Sequence, residues 1–114
     1  MQQHRLYLGD KLLTAHMSVC SNFIERGRGL LWRKPLDAAY GNAMLIPRCN
    51  SIHTFWMSYR IGVIFLDNAG RIVGIFPDTP PSRAVGCRQA RFALEYAVDT
   101  PWAQSLVVGE QLHW

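Results

Sequence analysis

The feature that most constrains the fold is residues 61–76, IGVIFLDNAGRIVGIF, in which two apolar runs flank a short polar loop that contains glycine. Both runs are rich in β-branched and aromatic residues, which favour strands. Gly70 can adopt the positive φ that such short loops usually require. The segment therefore predicts an antiparallel hairpin with strands at residues 61–67 and 71–76.

Short apolar stretches separated by Gly, Pro and polar turn residues recur along the whole chain. Gly9 and Asp10 form a two-residue link of the kind that hairpins accept, and they predict a hairpin over residues 5–17. Asp37–Asn42 and Asp78–Ser82 have the composition of surface connections. Further strands are expected at residues 43–46 (ended by Pro47), 52–57 and 92–98, and at 107–108 and 111–114, which would close the sheet.

At most two short helices interrupt these strands. Ser21 can cap the first helix, which is expected to end before Pro35, and Thr100 with Pro101 can begin the second. No strand is followed by a helix long enough to carry the chain to a parallel neighbour, which disfavours an α/β fold. We therefore predict one mainly β domain over residues 1–114, built as a compact antiparallel β-sandwich or partly closed barrel.

Composition bounds the class of protein. The chain has 114 residues, of which 49% are hydrophobic and 18% charged, so it can form one core and is not disordered. No apolar run approaches the ~18 residues of a membrane-spanning helix, and the first residues lack the pattern of a secretory signal. We expect a cytoplasmic protein without a membrane partner.

Charge and cysteine usage disfavour several kinds of site. The net charge of +4 is carried by scattered arginines without a long basic run, which disfavours nucleic-acid binding. Three cysteines at irregular spacing indicate reduced thiols rather than a disulfide framework. The alternatives are a Cys49–Cys87 disulfide and a metal site at Cys49, His53 and Cys87, which lacks a fourth ligand in a related segment. No cofactor is predicted.

The run His53-Thr54-Phe55-Trp56-Met57 is the most unusual in the sequence. In a strand, side chains alternate between faces, which would place His53, Phe55 and Met57 toward the core. Thr54 and Trp56 would then lie on the opposite face. Because amphipathic aromatic side chains are favoured at interfaces, Trp56 is the best single candidate for contact with a ligand or partner.

Polar residues near this run extend the candidate binding surface to Cys49, His53, Trp56, Arg60 and Arg83. Arginines beside His53 would form a small anion-binding pocket, whereas isolated arginines are ordinarily solvated. Cys49 and His53 are residue types of a nucleophile and its base, but the sequence shows no oxyanion pocket to support them. We predict a non-enzymatic binding or accessory module for an unidentified protein or small ligand. The alternative is a small-molecule or anion-binding β-sandwich, and a metal- or thiol-dependent enzyme is less favoured.

Several separated motifs occur in a characteristic order. Arg28-Gly29-Leu30 precedes the strand GNAML, His53–Met57 leads to Phe65-Leu66-Asp67, and Leu94-Glu95 precedes the ending Val108–Leu112. In this order they resemble the bacterial and archaeal family called domain of unknown function 192, from about Lys11 to the end of the chain. The resemblance implies an antiparallel β-sandwich of jelly-roll-like build, and it implies no established activity.

Two departures from the family pattern bear on chemistry. The family often has an acidic residue where this chain has Gly62, and its Ala-Gly after the Leu-Glu strand is Ala97-Val98-Asp99 here. The missing carboxylate weakens any proposal of carboxylate chemistry at that position. Family members are often exported, so the lack of a recognisable signal sequence is a further departure.

Overall fold

The structure is a computed structural model that describes residues 1–22 and 35–114. Nine strands are present in these residues, and the turn after the eighth contains one short 3-10 helix, Pro101–Ala103. The strands are β1 (Gln2–Leu8), β2 (Lys11–Val19), β3 (Ala43–Pro47), β4 (Ser51–His53), β5 (Ile61–Leu66), β6 (Ile72–Thr79), β7 (Ala84–Gly86), β8 (Phe92–Ala97) and β9 (Leu112–His113).

Seven of these strands form one sheet in the order β6-β5-β8-β3-β2-β1-β9. Neighbouring strands are antiparallel, except that β2 and β3 run parallel. The other two strands, β4 and β7, form a separate antiparallel pair. The mainly β fold predicted from the sequence is confirmed.

The large sheet curls so that its two outer ends are linked. The Ile72 amide at the start of β6 donates to the Glu110 carbonyl at 2.8 Å, and the Leu112 amide of β9 donates to the Gly70 carbonyl at 2.9 Å. Arg71 and Gln111 form an isolated antiparallel bridge between the same segments. The sheet is therefore a partly closed barrel.

Two apolar cores lie on the two faces of the central strands. All six residues of β5 are buried, as expected for a continuous apolar run that is covered on both sides. On the inner face, Leu45, Ile64 and Leu94 pack with side chains from β1, β2 and β9. On the outer face, Val63 and Phe65 pack beneath side chains from β4 and β7. The small sheet thus covers the outer core and positions the motif run beside it.

The glycine that departs from the family pattern has a packing role. Gly62 of β5 lies in register with Tyr96 of β8. A Cβ atom at position 62 would overlap the Tyr96 ring. The aromatic ring occupies the space that a side chain at position 62 would need, so the inner core explains the glycine.

Both predicted hairpins are confirmed, with β1 and β2 joined at Gly9-Asp10 and β5 joined to β6 through Gly70. Gly9 has φ 57° and Gly70 has φ 83°, as their turns require. The second strand of the later hairpin runs to Thr79, beyond the predicted end at Phe76. Among the described residues, no helix has the length and apolar character needed to cross a membrane.

Other predicted elements differ from the structure. The strand expected at 52–57 ends at His53. Residues 107–108 are exposed and form a turn instead of a strand, because the Glu110 carboxylate accepts a hydrogen bond from the Val107 amide at 2.9 Å. The helix expected at Thr100 is a single 3-10 turn without a side-chain cap bond. The helix expected after Ser21 falls on residues 23–34, outside the described part of the chain.

Candidate functional site

The motif run leaves β4 after His53 and enters a turn that Thr54 holds in place. The Thr54 side chain is fully buried, and its hydroxyl donates to the Pro80 carbonyl at 2.6 Å and accepts from the Arg83 amide at 2.9 Å. The Thr54 amide donates to the Arg83 carbonyl at 2.8 Å, and its carbonyl accepts from the Ser82 amide at 3.1 Å. Thr54 therefore joins the turn after β4 to the turn before β7.

The predicted alternation of faces is wrong for Thr54 and Phe55. Thr54 is the buried residue, while Phe55 is 44% exposed and Trp56 is 75% exposed. The Met57 amide donates to the Thr54 carbonyl at 3.2 Å, which closes a turn, and the Met57 side chain packs against the outer core. The bonds of Thr54 to residues 80–83 take the place of further strand pairing, so the chain turns here instead of extending the strand.

The turn brings Trp56 beside His53 and Phe55, whereas a strand would have placed Trp56 on the opposite face from both. The His53 ring stacks on Phe55 with centroids 5.2 Å apart, and it meets Trp56 edge-on at 6.2 Å. The prediction that His53 and Trp56 point to opposite faces is wrong. We call His53, Phe55 and Trp56 the aromatic surface.

The backbone of the aromatic surface is strained. Trp56 has φ 67°, in the left-handed region that bulky residues rarely occupy, and Ser82 in the facing turn has φ 63°. Such conformations persist only where surrounding contacts over-determine them, and they cluster at functional sites. The hydrogen bonds of Thr54 supply that constraint, because they join the two turns that contain Trp56 and Ser82.

The predicted arginines lie near these turns and make other contacts. The Arg60 guanidinium pairs with the Asp78 carboxylate at 3.2 Å on the surface. The Arg83 guanidinium donates to the Ser82 carbonyl at 3.4 Å. No hydrogen bond among the described residues joins either guanidinium to His53, so an anion pocket centred on His53 stays a prediction.

Cys49 precedes β4 and His53 is its last residue, and the two have different neighbours. The Cys49 thiol donates to the Ser51 carbonyl at 3.1 Å and packs against the outer core, whereas His53 stacks with aromatic rings. In the described part of the chain, no hydrogen bond joins Cys49 to His53. Cys87 is a free thiol, so no disulfide joins it to Cys49. Within residues 1–22 and 35–114, no group of three or more His, Cys, Asp or Glu side chains is placed to hold a metal ion.

The sequence predictions missed one buried carboxyl group. Glu95 of β8 is only 4% exposed and lies in register with Met44 of β3 and Val63 of β5. Burial raises the pKa of Glu95 to about 7. The signal in the sequence is an acidic residue in the middle of the apolar strand FALEYA, which is rare unless the fold accommodates it.

A cavity of about 490 Å³ opens where the turn rejoins β5. Tyr59, Arg60 and Ile61 line one side of it, and residues 97–99 at the end of β8 line another. The cavity is therefore next to the aromatic surface along the chain but is built from different side chains.

The family model for domain of unknown function 192, described as "Uncharacterized ACR", matches residues 6–114. The chain belongs to this family. A relative from Pyrococcus furiosus, a UPF0127 protein, is 31% identical over 105 residues, which is 91% of this chain and 90% of the relative. A UPF0127 protein from Pyrococcus horikoshii is 36% identical over 78 residues, or 68% of each chain. The resemblance stated from the motifs is thus confirmed.

The fold of this domain of unknown function 192 member is also found in a solved structure. A protein of unknown function from Novosphingobium aromaticivorans superposes with a TM-score of 0.69 over 89% of this chain and 75% of that one. The two sequences are 16% identical. The similarity supports the fold and assigns no activity.

Proposed function

We propose that this chain is a non-enzymatic binding module that recognises a protein partner through the aromatic surface. The observation that carries the proposal is the conformation of Trp56, which is 75% exposed and has a left-handed backbone. Burial does not stabilise a side chain that remains in water, so the core gains little from this tryptophan. A partner that covers the ring would recover that apolar contact.

A protein partner fits this surface better than an enclosed small ligand does. The His53 ring contacts both Phe55 and Trp56, and all three residues are exposed. The neighbouring cavity is lined by Tyr59, Arg60 and Ile61 and by none of the three rings. Aromatic side chains at protein interfaces act as anchors that enter pockets on the partner, and Trp56 has the exposure to do so.

A second candidate function is favoured by the cavity itself. Its volume of about 490 Å³ lies within the range of small-molecule sites, and Tyr59 with Arg60 provides an aromatic and a polar contact. A small-ligand module would use this cavity and would not require Trp56. A thermal-shift screen of small ligands, run on the unsubstituted chain and on Tyr59→Ala, separates the two candidates. Only ligand binding in the cavity depends on Tyr59, so a ligand bound there should raise the melting temperature of the unsubstituted chain and not that of the variant.

The test of the partner proposal uses Trp56→Gly in the whole chain. Glycine adopts a positive φ without steric cost, so we expect this variant to keep its fold and its melting temperature. The immobilised protein is exposed to lysate of the organism that naturally encodes it. The captured proteins are then quantified by mass spectrometry. We expect one partner to be retained by the unsubstituted chain and reduced about tenfold or more with Trp56→Gly, as for a residue that dominates an interface.

The matched control is Tyr40→Ala, since Tyr40 is another aromatic side chain that is more than half exposed, at 58%. Capture of the partner should be unchanged in this variant. Equal loss with Tyr40→Ala and Trp56→Gly would mean non-specific adhesion and would contradict the proposal. Dimerisation of the pure protein through Trp56, measured by analytical ultracentrifugation, would also contradict it, because the surface would then join copies of this chain.

A further inference from the structure

A second cavity, of about 550 Å³, lies at the other end of the central strands. It is located where β2 and β3 end and β8 begins, and Asn68 from the β5–β6 turn also lines it. Two arginines, Arg48 and Arg91, are the charged residues of its described wall. This cavity is separate from the aromatic surface and from the cavity beside Tyr59.

The fold brings the two arginines together from distant parts of the sequence. Pro47 at the end of β3 pairs with Phe92 at the start of β8, and Arg48 and Arg91 are the residues immediately beyond that pair. The Arg91 amide donates to the Leu66 carbonyl at 2.7 Å, and the Arg91 carbonyl accepts from the Cys49 amide at 3.1 Å. The Arg91 backbone is thus held on both sides.

Arg48 is held in an uncommon conformation. Its φ is 52°, so it is one of three non-glycine residues with positive φ among those described. The other two, Trp56 and Ser82, belong to the turns of the aromatic surface. A left-handed arginine beside a cavity is a feature that a fold retains where the position of the side chain matters.

The described wall of the second cavity carries no negative charge to compensate its two arginines. Among the described residues, no carboxylate lines it and no ion pair involves Arg48 or Arg91. The nearest acidic residue in sequence to Asn68, Asp67, accepts hydrogen bonds from the Ala69 and Arg71 amides, both at 2.9 Å. Two cationic side chains on one concave wall attract an anion.

Two further groups of the wall suit the same kind of ligand. Asn68 contributes an amide, which can donate a hydrogen bond to an anion. Phe92 adds an apolar ring, which packs edge-on against Trp114 with centroids 5.1 Å apart. Guanidinium groups bind phosphate oxygens in a bidentate manner, and a ring such as Phe92 can contact the body of an organic ligand.

We propose that the cavity lined by Arg48 and Arg91 binds a small phosphomonoester with a compact apolar body. The two guanidinium groups bind the phosphate, Asn68 donates to one of its remaining oxygens, and the apolar body lies against Phe92. The volume of about 550 Å³ accommodates a ligand of this size. This site does not depend on the aromatic surface, so either proposal can fail alone.

The test is a calorimetric titration of the whole chain with phenyl phosphate. We expect saturable one-to-one binding, and binding about tenfold weaker or worse for inorganic phosphate, which lacks the apolar body. Arg91→Met and Arg48→Asn should each weaken the binding of phenyl phosphate about tenfold or more, since each removes a charge-assisted contact. Asparagine is chosen at position 48 because it tolerates a left-handed backbone.

Arg5→Met is the matched control, because Arg5 is exposed on β1 and lies outside the lining of the cavity. It removes the same charge and should leave the affinity unchanged. An equal loss with Arg5→Met would mean non-specific attraction by net charge, and the proposal would be overturned. It would also be overturned by the absence of binding at millimolar phenyl phosphate, or by equal affinity for inorganic phosphate. Benzyl alcohol, the uncharged probe, should not bind.

Discussion

Three residues of this molecule have a backbone conformation or an environment that costs free energy of folding. Trp56 and Arg48 have left-handed backbones, and the buried carboxyl group of Glu95 lies between apolar neighbours. None of these features improves the stability of the fold. For Trp56 and Arg48, the structure places each strained residue where a side chain is presented to solvent or to a cavity.

Glu95 should make the stability of the protein depend on pH. Burial raises its pKa from 4.5 to about 7 in the folded chain, so the folded state binds a proton that the unfolded state has lost between these values. The contribution of protonated Glu95 to the stability of the fold is fully present below about pH 4.5, and it is lost as the pH rises through about 7. We expect Glu95→Gln to gain stability relative to the unsubstituted protein over this range, by on the order of 3 kcal/mol.

The measurement is urea unfolding of both proteins at several pH values between about 5 and about 8. The difference in the free energy of unfolding should grow with pH and then level off. Asp10→Asn, in the exposed β1–β2 turn, is the control and should follow the profile of the unsubstituted chain. A constant difference between Glu95→Gln and the unsubstituted chain across the range would refute the raised pKa.

At the scale of secondary structure, β4 shows how a distant contact shortens a strand. The composition of residues 52–57 favours a strand, yet the structure ends it at His53. The cause is Thr54, which bonds to Pro80 and Arg83, residues 26 and 29 positions further along the chain. Propensity is a local property, whereas this turn is decided by partners that the local sequence does not contain.

Thr54→Val should loosen the two turns that Thr54 joins. Valine has nearly the same shape and lacks the hydroxyl, so the Arg83 amide loses one acceptor and the Pro80 carbonyl loses its donor. We expect a loss of about 1–3 kcal/mol in local stability, the cost of leaving buried polar groups unsatisfied. Hydrogen exchange followed by NMR should show faster exchange of the Thr54, Ser82 and Arg83 amides.

Ser58→Ala is the control for this experiment, because Ser58 is an exposed hydroxyl residue in the same connection between β4 and β5. Its exchange pattern should match that of the unsubstituted chain. If Thr54→Val exchanges no faster than Ser58→Ala, the hydroxyl of Thr54 does not hold the turns. The aromatic surface would then need another source of order.

At the scale of the whole molecule, closure of the barrel depends on a few contacts between the β5–β6 hairpin and the C-terminal segment. Gly70 is central to them, because its carbonyl accepts the Leu112 amide and its φ is 83°. A Cβ atom at position 70 would overlap the Leu112 carbonyl oxygen. The same glycine therefore serves the local turn and the long-range closure.

Gly70→Ala should be more damaging than an ordinary glycine substitution in a turn. It combines an unfavourable φ with a steric clash against backbone, so we expect a loss of more than about 2 kcal/mol in the free energy of unfolding. Gly9→Ala is the matched control, since Gly9 has φ 57° and a Cβ atom there would meet nothing within 4 Å beyond its chain neighbours. It should cost only about 1 kcal/mol. Chemical denaturation measures the free energy of unfolding of both variants. Equal losses would show that closure of the barrel at Gly70 contributes nothing to stability.

The residues that could be predicted are those whose structure depends on neighbours in sequence. The two hairpins follow from glycine turns between apolar runs, and β8 follows from an apolar run that contains the aromatic residues Phe92 and Tyr96. Trp56 was predicted as a binding candidate from its residue type and was placed away from the core, where it is indeed exposed, but its contact with His53 was not predicted. Arg48 and Arg91 were not identified as a pair, because 42 intervening residues separate them in the sequence.

The sequence by itself determined the β class, the main hairpins and the membership of the family, because strand propensity, turn chemistry and motif order are properties of short segments. Only the tertiary structure decided the contents of the two candidate sites. Thr54 reaches across to the turn before β7 and rotates Trp56 into contact with His53, and pairing of β3 with β8 places Arg48 and Arg91 on one cavity. These are contacts between distant segments, which form only when the whole chain packs.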